Sequence, residues 1–190
     1  MHIVYGGAFN PPTIAHLKVY QYLKEKLPLT KFTYLPVSNA YTKSELISNH
    51  HRLAMLKLVT KGYDDIDISD LEMTDDQFQG TYQSLVRLSD DSSEEVAFVI
   101  GADNVKSLSK WIMAKSLISE FKIIVLSRDD IDVEAIIDHD DMLKHYRDQF
   151  LIFNDFDEAV SSTEFRKTHD ASMVHDAVYD YIKSHQLYER

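Results

Sequence analysis

Thr13 and His16 stand three residues apart at the end of the stretch YGGAFNPPTIAH, Tyr5 to His16. If a helix begins there, that spacing brings a hydroxyl and an imidazole to one side of its first turn. Two such donors suit phosphoryl oxygens. The chain has 5 glycines and 4 prolines and places two of each in this stretch. Gly7 and its neighbour Gly6 lack the Cβ atoms that would hold a phosphate away from the main chain. Pro11 and Pro12 stiffen the exit, and a helix start beyond them offers free N–H groups and a partial positive charge. The pattern is neither G-x-G-x-x-G nor G-x-x-x-x-G-K. A tight strand-to-helix turn accounts for the glycines about as well, and His16 taken alone reads as an ordinary helix histidine.

A second group of donors lies at SSTEFR, where Ser161, Ser162 and Thr163 precede Glu164 and Arg166. Hydroxyls and N–H groups at a helix start with a guanidinium nearby could hold an anion, and a plain N-cap remains the alternative. Asp103 and Asn104 follow Gly101 at the end of an apolar run, which places them at the edge of a sheet, with helix capping as a compatible role. Trp111 is the only tryptophan; its ring could stack on a flat ligand or pack in the core. His50 and His51 beside Arg52, and the run DHDD at 138–141, lack the spacing of metal ligands, so no protein metal site is expected and the acidic run reads as a solvated face.

The elements that must position these residues follow from periodicity. HIVYG reads as a short buried strand, and Ile14, Leu17, Tyr20 (or Val19) and Leu23 recur at helical spacing after it. KFTYLPV is a second strand, HHRLAMLKLVTKG a helix closed by Gly62, and DIDISDLEM an alternating strand. TYQSLVRLSDD is a helix, EVAFVIG a buried strand, VKSLSKWIMAKSLIS one or two short helices, and FKIIVLSR a further strand. An acidic helical stretch over 132–147, the strand QFLIFND and two helices from near Ser162 and Met173 complete the chain. Strand and helix alternate without an internal repeat or low-complexity linker. This predicts an α/β fold, a single Rossmann-like, doubly wound parallel sheet with helices on both faces, in one domain over residues 1–190. Ligands of such sheets bind beyond the carboxyl ends of the strands, so chemistry belongs in the loops 6–16, 37–50, 71–81, 101–111 and 127–131.

Composition limits the function classes. With 190 residues, 44% of them hydrophobic, the chain can bury one substantial core. It has no cysteine, which removes disulfides and thiolate chemistry and fits a reducing compartment. No basic leader or apolar run of membrane-spanning length is present, so the expected location is cytoplasmic, without a membrane partner. A net charge of -11 argues against a general nucleic-acid binder, yet leaves room for a small anionic ligand held by a few local cations.

GGAFNPPTIAH resembles the G-x-F-[DN]-P-x-[HT]-x-G-H signature of the nucleotidylyltransferase superfamily. HRLAML, IGADN with KW shortly after it, VLSR, SSTEFR and the closing YIKSHQLY resemble, in the same order, landmarks of bacterial nicotinate-nucleotide adenylyltransferases. The likeness spans nearly the whole chain. It implies adenylyl transfer from ATP to nicotinate mononucleotide, giving deamido-NAD and pyrophosphate in NAD biosynthesis, with no covalent enzyme intermediate. The resemblance makes His16 the donor to the α-phosphate, with Thr13 assisting. It places Gly7, Ala8, Phe9 and Asn10 around ATP, Ser161, Ser162, Thr163 and Arg166 at the β- and γ-phosphates, and Lys43 on a phosphate. Gly101 also falls at the ATP site, Asp103 near the ribose, and Gly80, Thr81 and Trp111 at the pyridine. Mg²⁺ is expected to arrive with ATP.

Ala15 replaces the usual glycine of the signature and Thr13 stands where many bacterial members have histidine. The family's SYT ahead of the middle helix reads QGT here, with Gly80 at the tyrosine position, and the segment after Arg166 is shorter than usual. Two rivals stay open: an adenylyltransferase for nicotinamide mononucleotide or another phosphorylated acceptor, and a non-catalytic nucleotide-binding regulator. Oligomeric state is not legible, and a homo-oligomer is left open.

Overall fold

The structure, a computed structural model, describes residues 1–39, 46–89, 94–127, 131–156, 158 and 160–189. Its strands are β1 (His2–Gly7), β2 (Lys31–Pro36), β3 (Ile66–Ile68), β4 (Val96–Gly101), β5 (Lys122–Leu126) and β6 (Phe150–Phe153). Its α-helices are α1 (Ile14–Lys26), α2 (Asn49–Val59), α3 (Leu71–Thr74), α4 (Thr81–Ser89), α5 (Ala102–Leu108), α6 (Ala114–Glu120), α7 (Val133–Asp138), α8 (Asp141–His145), α9 (Ser162–Thr168) and α10 (Asp176–Ser184). The strands form one sheet in the order β3-β2-β1-β4-β5-β6, with helices around it. The order runs one way from β1 to β3 and the other way from β4 to β6, the Rossmann-like arrangement that the alternation predicts.

Two compact units divide the chain, each assembled from separate segments. The first comprises Met1–Gly6, Leu29–Phe32 and Gln79–Asp157. Within it β1, β4, β5 and β6 run parallel, in a register that pairs Ile3 with Ala97, Val99 with Ile124, and Ile124 with Leu151. Val96 to Ile100 and Ile123 to Leu126 are all buried. Unbroken apolar runs of this kind mark strands covered on both faces, which is why they read so plainly in the sequence.

The second unit comprises Gly7–Pro28, Thr33–Phe78 and Glu158–Arg190. Its core joins Met55 and Val59 of α2 to Phe165 of α9 and Val178 and Ile182 of α10, with Leu17, Ile47 and Tyr188 packed against them. The last turns of α1 are tied down separately: the Tyr20 hydroxyl donates to Asp65 Oδ1 at 2.8 Å and Lys24 Nζ to Asp65 Oδ2 at 2.7 Å. The hydrogen bond from Lys24 is the main reason the Asp65 carboxyl is held below the usual carboxylate range.

Two elements differ from the sequence expectation. The alternating run DIDISDLEM is a strand only over Ile66–Ile68 and turns helical at Leu71–Thr74. Ser69 makes the last sheet-type bond, its N–H donating to the Tyr34 carbonyl, and the Asp70 carbonyl then accepts from Met73 and Thr74. The acidic stretch is two helices, because the Asp140 carboxylate accepts the N–H groups of Met142 and Leu143 and so starts α8 afresh. That role accounts for Asp140 of the DHDD run without a metal.

Candidate active site

The loop after β1 is built around Phe9. This residue is buried and holds a left-handed backbone, φ 47°, unusual for a side chain of its size. Its ring meets His16 edge-on at 5.0 Å and Tyr34 at 5.4 Å between centroids. A Cβ on Gly7 would come within 3.0 Å of the tip of that ring. The Phe9 ring thus leaves only tight room for a Cβ at position 7, a packing constraint that stands beside the phosphate approach inferred from sequence.

Thr13 caps α1, and the cap is reciprocal in an unusual way. The Thr13 backbone N–H donates to His16 Nδ1 at 2.8 Å, so His16 does what glutamate or glutamine does in a capping box. The Thr13 side chain is only 1% exposed and its hydroxyl oxygen lies 2.9 Å from the same ring nitrogen. A backbone N–H can only donate. Nδ1 must accept, and the proton of a neutral imidazole then belongs on Nε2. The Tyr34 hydroxyl also donates to the His16 carbonyl at 2.9 Å, which fastens the first turn of α1 within the same unit.

SSTEFR reaches this loop directly. Ser161 is the N-cap of α9, accepting the Glu164 N–H, so the ordinary capping role is real for that residue. Ser162 does something else: its hydroxyl donates to the Pro11 carbonyl at 2.7 Å. Arg166 Nη1 donates to the Asn10 carbonyl at 2.6 Å, and Nη2 to the Thr163 hydroxyl at 3.3 Å. Ser162, Arg166, Asn10, Ala8 and the Thr13–His16 pair thus belong to one constellation in the second unit.

Arg52 and Tyr188 hold the same loop, and sequence reasoning did not name either as a site residue. Arg52 is 0% exposed, and its guanidinium donates to the carbonyls of Ala8 at 2.7 Å, Val37 at 2.6 Å and Ile47 at 3.3 Å, and to the side-chain oxygens of Asn39 and Asn49, each at 2.7 Å. Burial lowers its pKa to about 10, which still leaves it charged at neutral pH. The signal was present in HRLAML: positions 52, 55, 56 and 59 share a helix face, and three are apolar core residues. An arginine in a core stripe must be satisfied by something specific. Tyr188 donates its hydroxyl to Asn10 Oδ1 at 2.9 Å.

The remaining expected residues lie in the first unit, apart from Lys43, which is outside the described residues. Gly101 is the N-cap of α5, and a Cβ there would meet the Asp103 Oδ1 at 2.6 Å, so the Asp103 carboxylate folds back over the start of its own helix. Gly80 has φ 97° and a Cβ on it would meet the Ile112 Cβ at 2.9 Å. Backbone conformation and Ile112 thus demand glycine there. Thr81 begins α4 beside it. Trp111 is half-buried, its indole N–H donating to the Ser107 hydroxyl at 3.3 Å and its ring edge-on to Phe98 at 6.5 Å. Ile112 beside it is 52% exposed, and the tryptophan stands in the turn between α5 and α6 with its ring against buried Phe98. Among the described residues no three His, Asp or Glu side chains are grouped to hold a metal ion, and no helix is long and apolar enough to cross a membrane.

Comparison with known proteins shows the family and the fold. A cytidylyltransferase-like family model matches residues 4–168. A protein of Acholeplasma laidlawii named as a probable nicotinate-nucleotide adenylyltransferase is 35% identical over all of this chain and 98% of its own length. A rice protein named nicotinamide/nicotinic acid mononucleotide adenylyltransferase is 28% identical, over 98% of this chain and 85% of its own. Among solved structures, the nicotinic acid mononucleotide adenylyltransferase of Plasmodium falciparum complexed with NaAD has the same fold, with a TM-score of 0.78 at 21% identity over 98% of this chain and 96% of that one. On the family model and the full-length relative together, the chain belongs to the cytidylyltransferase-like family, among the nicotinate-nucleotide adenylyltransferases.

Proposed function

We infer that the chain transfers the adenylyl group of ATP to nicotinate mononucleotide, forming deamido-NAD and releasing pyrophosphate. The observation that carries this reading is the Thr13 N–H bond to His16 Nδ1, which puts a donor proton on Nε2 at the start of a helix. A phosphate oxygen of the mononucleotide attacks the α-phosphorus of ATP in line, the bond from that phosphorus to the β-bridging oxygen breaks, and pyrophosphate leaves with the electron pair. Such a reaction asks the protein for positioning and charge stabilisation. His16 Nε2–H donates to the α-phosphate, and Thr13 acts through His16. Gly7, Ala8, Phe9 and Asn10 shape the loop beside it. Ser161, Ser162, Thr163 and Arg166 serve the β- and γ-phosphates, as does Lys43. Gly101 lines the ATP site, Asp103 serves the ribose, and Gly80, Thr81 and Trp111 the pyridine. Family members work on ATP together with a divalent cation; here we assign Mg²⁺, brought in on the triphosphate. We read residues 1–190 as one domain working in the cytoplasm on small-molecule partners.

Pyrophosphate release from ATP, measured separately with nicotinate and nicotinamide mononucleotides, tests this directly. Release that requires either mononucleotide supports adenylyl transfer; ATP binding without release in the presence of either would instead make the chain a regulator. Nicotinate is the expected preference, because its carboxylate suits the Thr81 hydroxyl and the N–H groups at the start of α4. Discrimination should be weaker than where tyrosine stands at position 80. Trp111→Ala should lower catalytic efficiency for both acceptors by similar factors, and Thr81→Ala should lower it mainly for nicotinate. A Trp111 change that alters the preference would overturn the assignment.

Arg166→Ala should raise the Michaelis constant for ATP, and Arg166→Lys should restore only part of it, because an ammonium cannot reproduce the fork that spans Asn10 and Thr163. Unchanged ATP affinity by calorimetry in the alanine variant would remove Arg166 from the triphosphate site.

A further inference from the structure

We propose that Tyr188 is a positioning residue for the catalytic loop, holding Asn10 by its side chain while Arg166 holds the same residue by its backbone. The proposal rests on the adenylyl-transfer reading above and names a component that reading does not contain. Asn10 is nearly inaccessible, and all its described bonds come from elsewhere in the fold. Its Oδ1 accepts from the Tyr188 hydroxyl at 2.9 Å and from the Ile47 N–H at 3.4 Å, and its carbonyl accepts from Arg166. Three residues further on, Thr13 sets the His16 ring. A shift of Asn10 is thereby passed to the donor through the stiff pair Pro11 and Pro12.

Tyr188 is placed for this role at some cost to the backbone. After α10 the chain turns back, with the Leu187 N–H donating to the Ile182 carbonyl and with left-handed φ at Gln186, 52°, and at Tyr188, 66°. Neither is a glycine, so the turn is unfavourable on its own and needs an anchor. The anchor is the Tyr188 ring, edge-on to Phe165 at 6.1 Å, with its hydroxyl on Asn10. Burial pushes the phenol pKa above its ordinary value, against a smaller opposing pull from Arg166 and Arg52. The hydroxyl therefore stays protonated and remains a donor throughout the working pH range.

Tyr188→Phe removes one hydroxyl and keeps the ring. The expected result is a fall in kcat of about five- to tenfold with ATP affinity by calorimetry within about twofold, the signature of lost positioning. In the double variant with Asn10→Ala, kcat should be no lower than in Asn10→Ala alone, because both changes cut the same bond. Independent, multiplying effects would overturn the proposal, as would a parental kcat in Tyr188→Phe. A loss of kcat that disappears at lower temperature along with a lowered melting point would also overturn it, since the role would then be structural. The Asn10 side-chain amide resonances of the ligand-free protein give a readout that needs no turnover. They should shift in Tyr188→Phe, and unshifted resonances would refute the bond even if the parent chain released no pyrophosphate, which is the result that would refute the reaction.

Discussion

His16→Ala is expected to lower kcat about a hundredfold while changing the affinity for ATP only a few-fold, the pattern for one donor aimed at charge that develops in the transition state. The structure sharpens the reason. The imidazole is oriented by the Thr13 N–H at 2.8 Å and packed by the Phe9 ring, so Nε2–H is fixed before any substrate binds. A donor that needs no reorganisation at the moment of reaction contributes far more than one that must be recruited from solvent. His16→Gln serves as the companion variant: an amide can still accept the Thr13 N–H, as in an ordinary capping box, yet it cannot place a proton where the ring does. Alanine should then cost some stability along with rate, and glutamine mostly rate. Single-turnover measurement of pyrophosphate release at saturating ATP and mononucleotide decides it; equal rates in parent and alanine variant would remove His16 from the chemistry.

Fold and site were not equally legible in the sequence, for physical reasons. Strands β4 and β5 carry unbroken buried apolar runs, Val96 to Ile100 and Ile123 to Leu126, and a strand buried on both faces has almost no other way to read. The segment 65–73 misled, because alternation over so few residues fits both an edge strand and a helical turn, and the choice was made by Asp70 accepting two helical N–H groups. Thr13 and His16 were legible because their spacing is itself the geometry. Gly7 and Gly80 were legible as special, but one constraint on them was not: each glycine faces a side chain, Phe9 or Ile112, that no local rule connects to it. Arg52 and Tyr188 lay inside quoted motifs and still went unassigned: Tyr188 acts on a residue 178 positions away, and although the place of Arg52 in an apolar helix stripe was readable, its acceptors are chiefly backbone carbonyls that no residue type marks.

The largest effect on stability is expected at Arg52. It is fully buried, its five acceptors are three backbone carbonyls and two side-chain amides, and none of them carries a charge. Arg52→Met fills much of the volume with an apolar chain of similar length, yet leaves the carbonyls of Ala8 and Val37 and the oxygens of Asn39 and Asn49 without that donor. Stranding acceptors away from water costs about 1–3 kcal/mol each before relaxation. Removing the cation also relieves the desolvation that already lowers its pKa to about 10, so part of that cost is returned. The net loss should be about 3–5 kcal/mol, read as a lower urea midpoint at unchanged slope. Arg52→Lys should recover little, because three donors on one nitrogen cannot span acceptors spread over three segments of chain. Function should fail before folding does. With the Ala8 carbonyl released, the peptide to Phe9 is free to turn, and the ATP Michaelis constant of Arg52→Met should rise even at temperatures where the variant remains folded. A loss of stability below about 1 kcal/mol would mean that solvent or the neighbouring asparagines satisfy these carbonyls unaided, and that the buried guanidinium does not hold the loop.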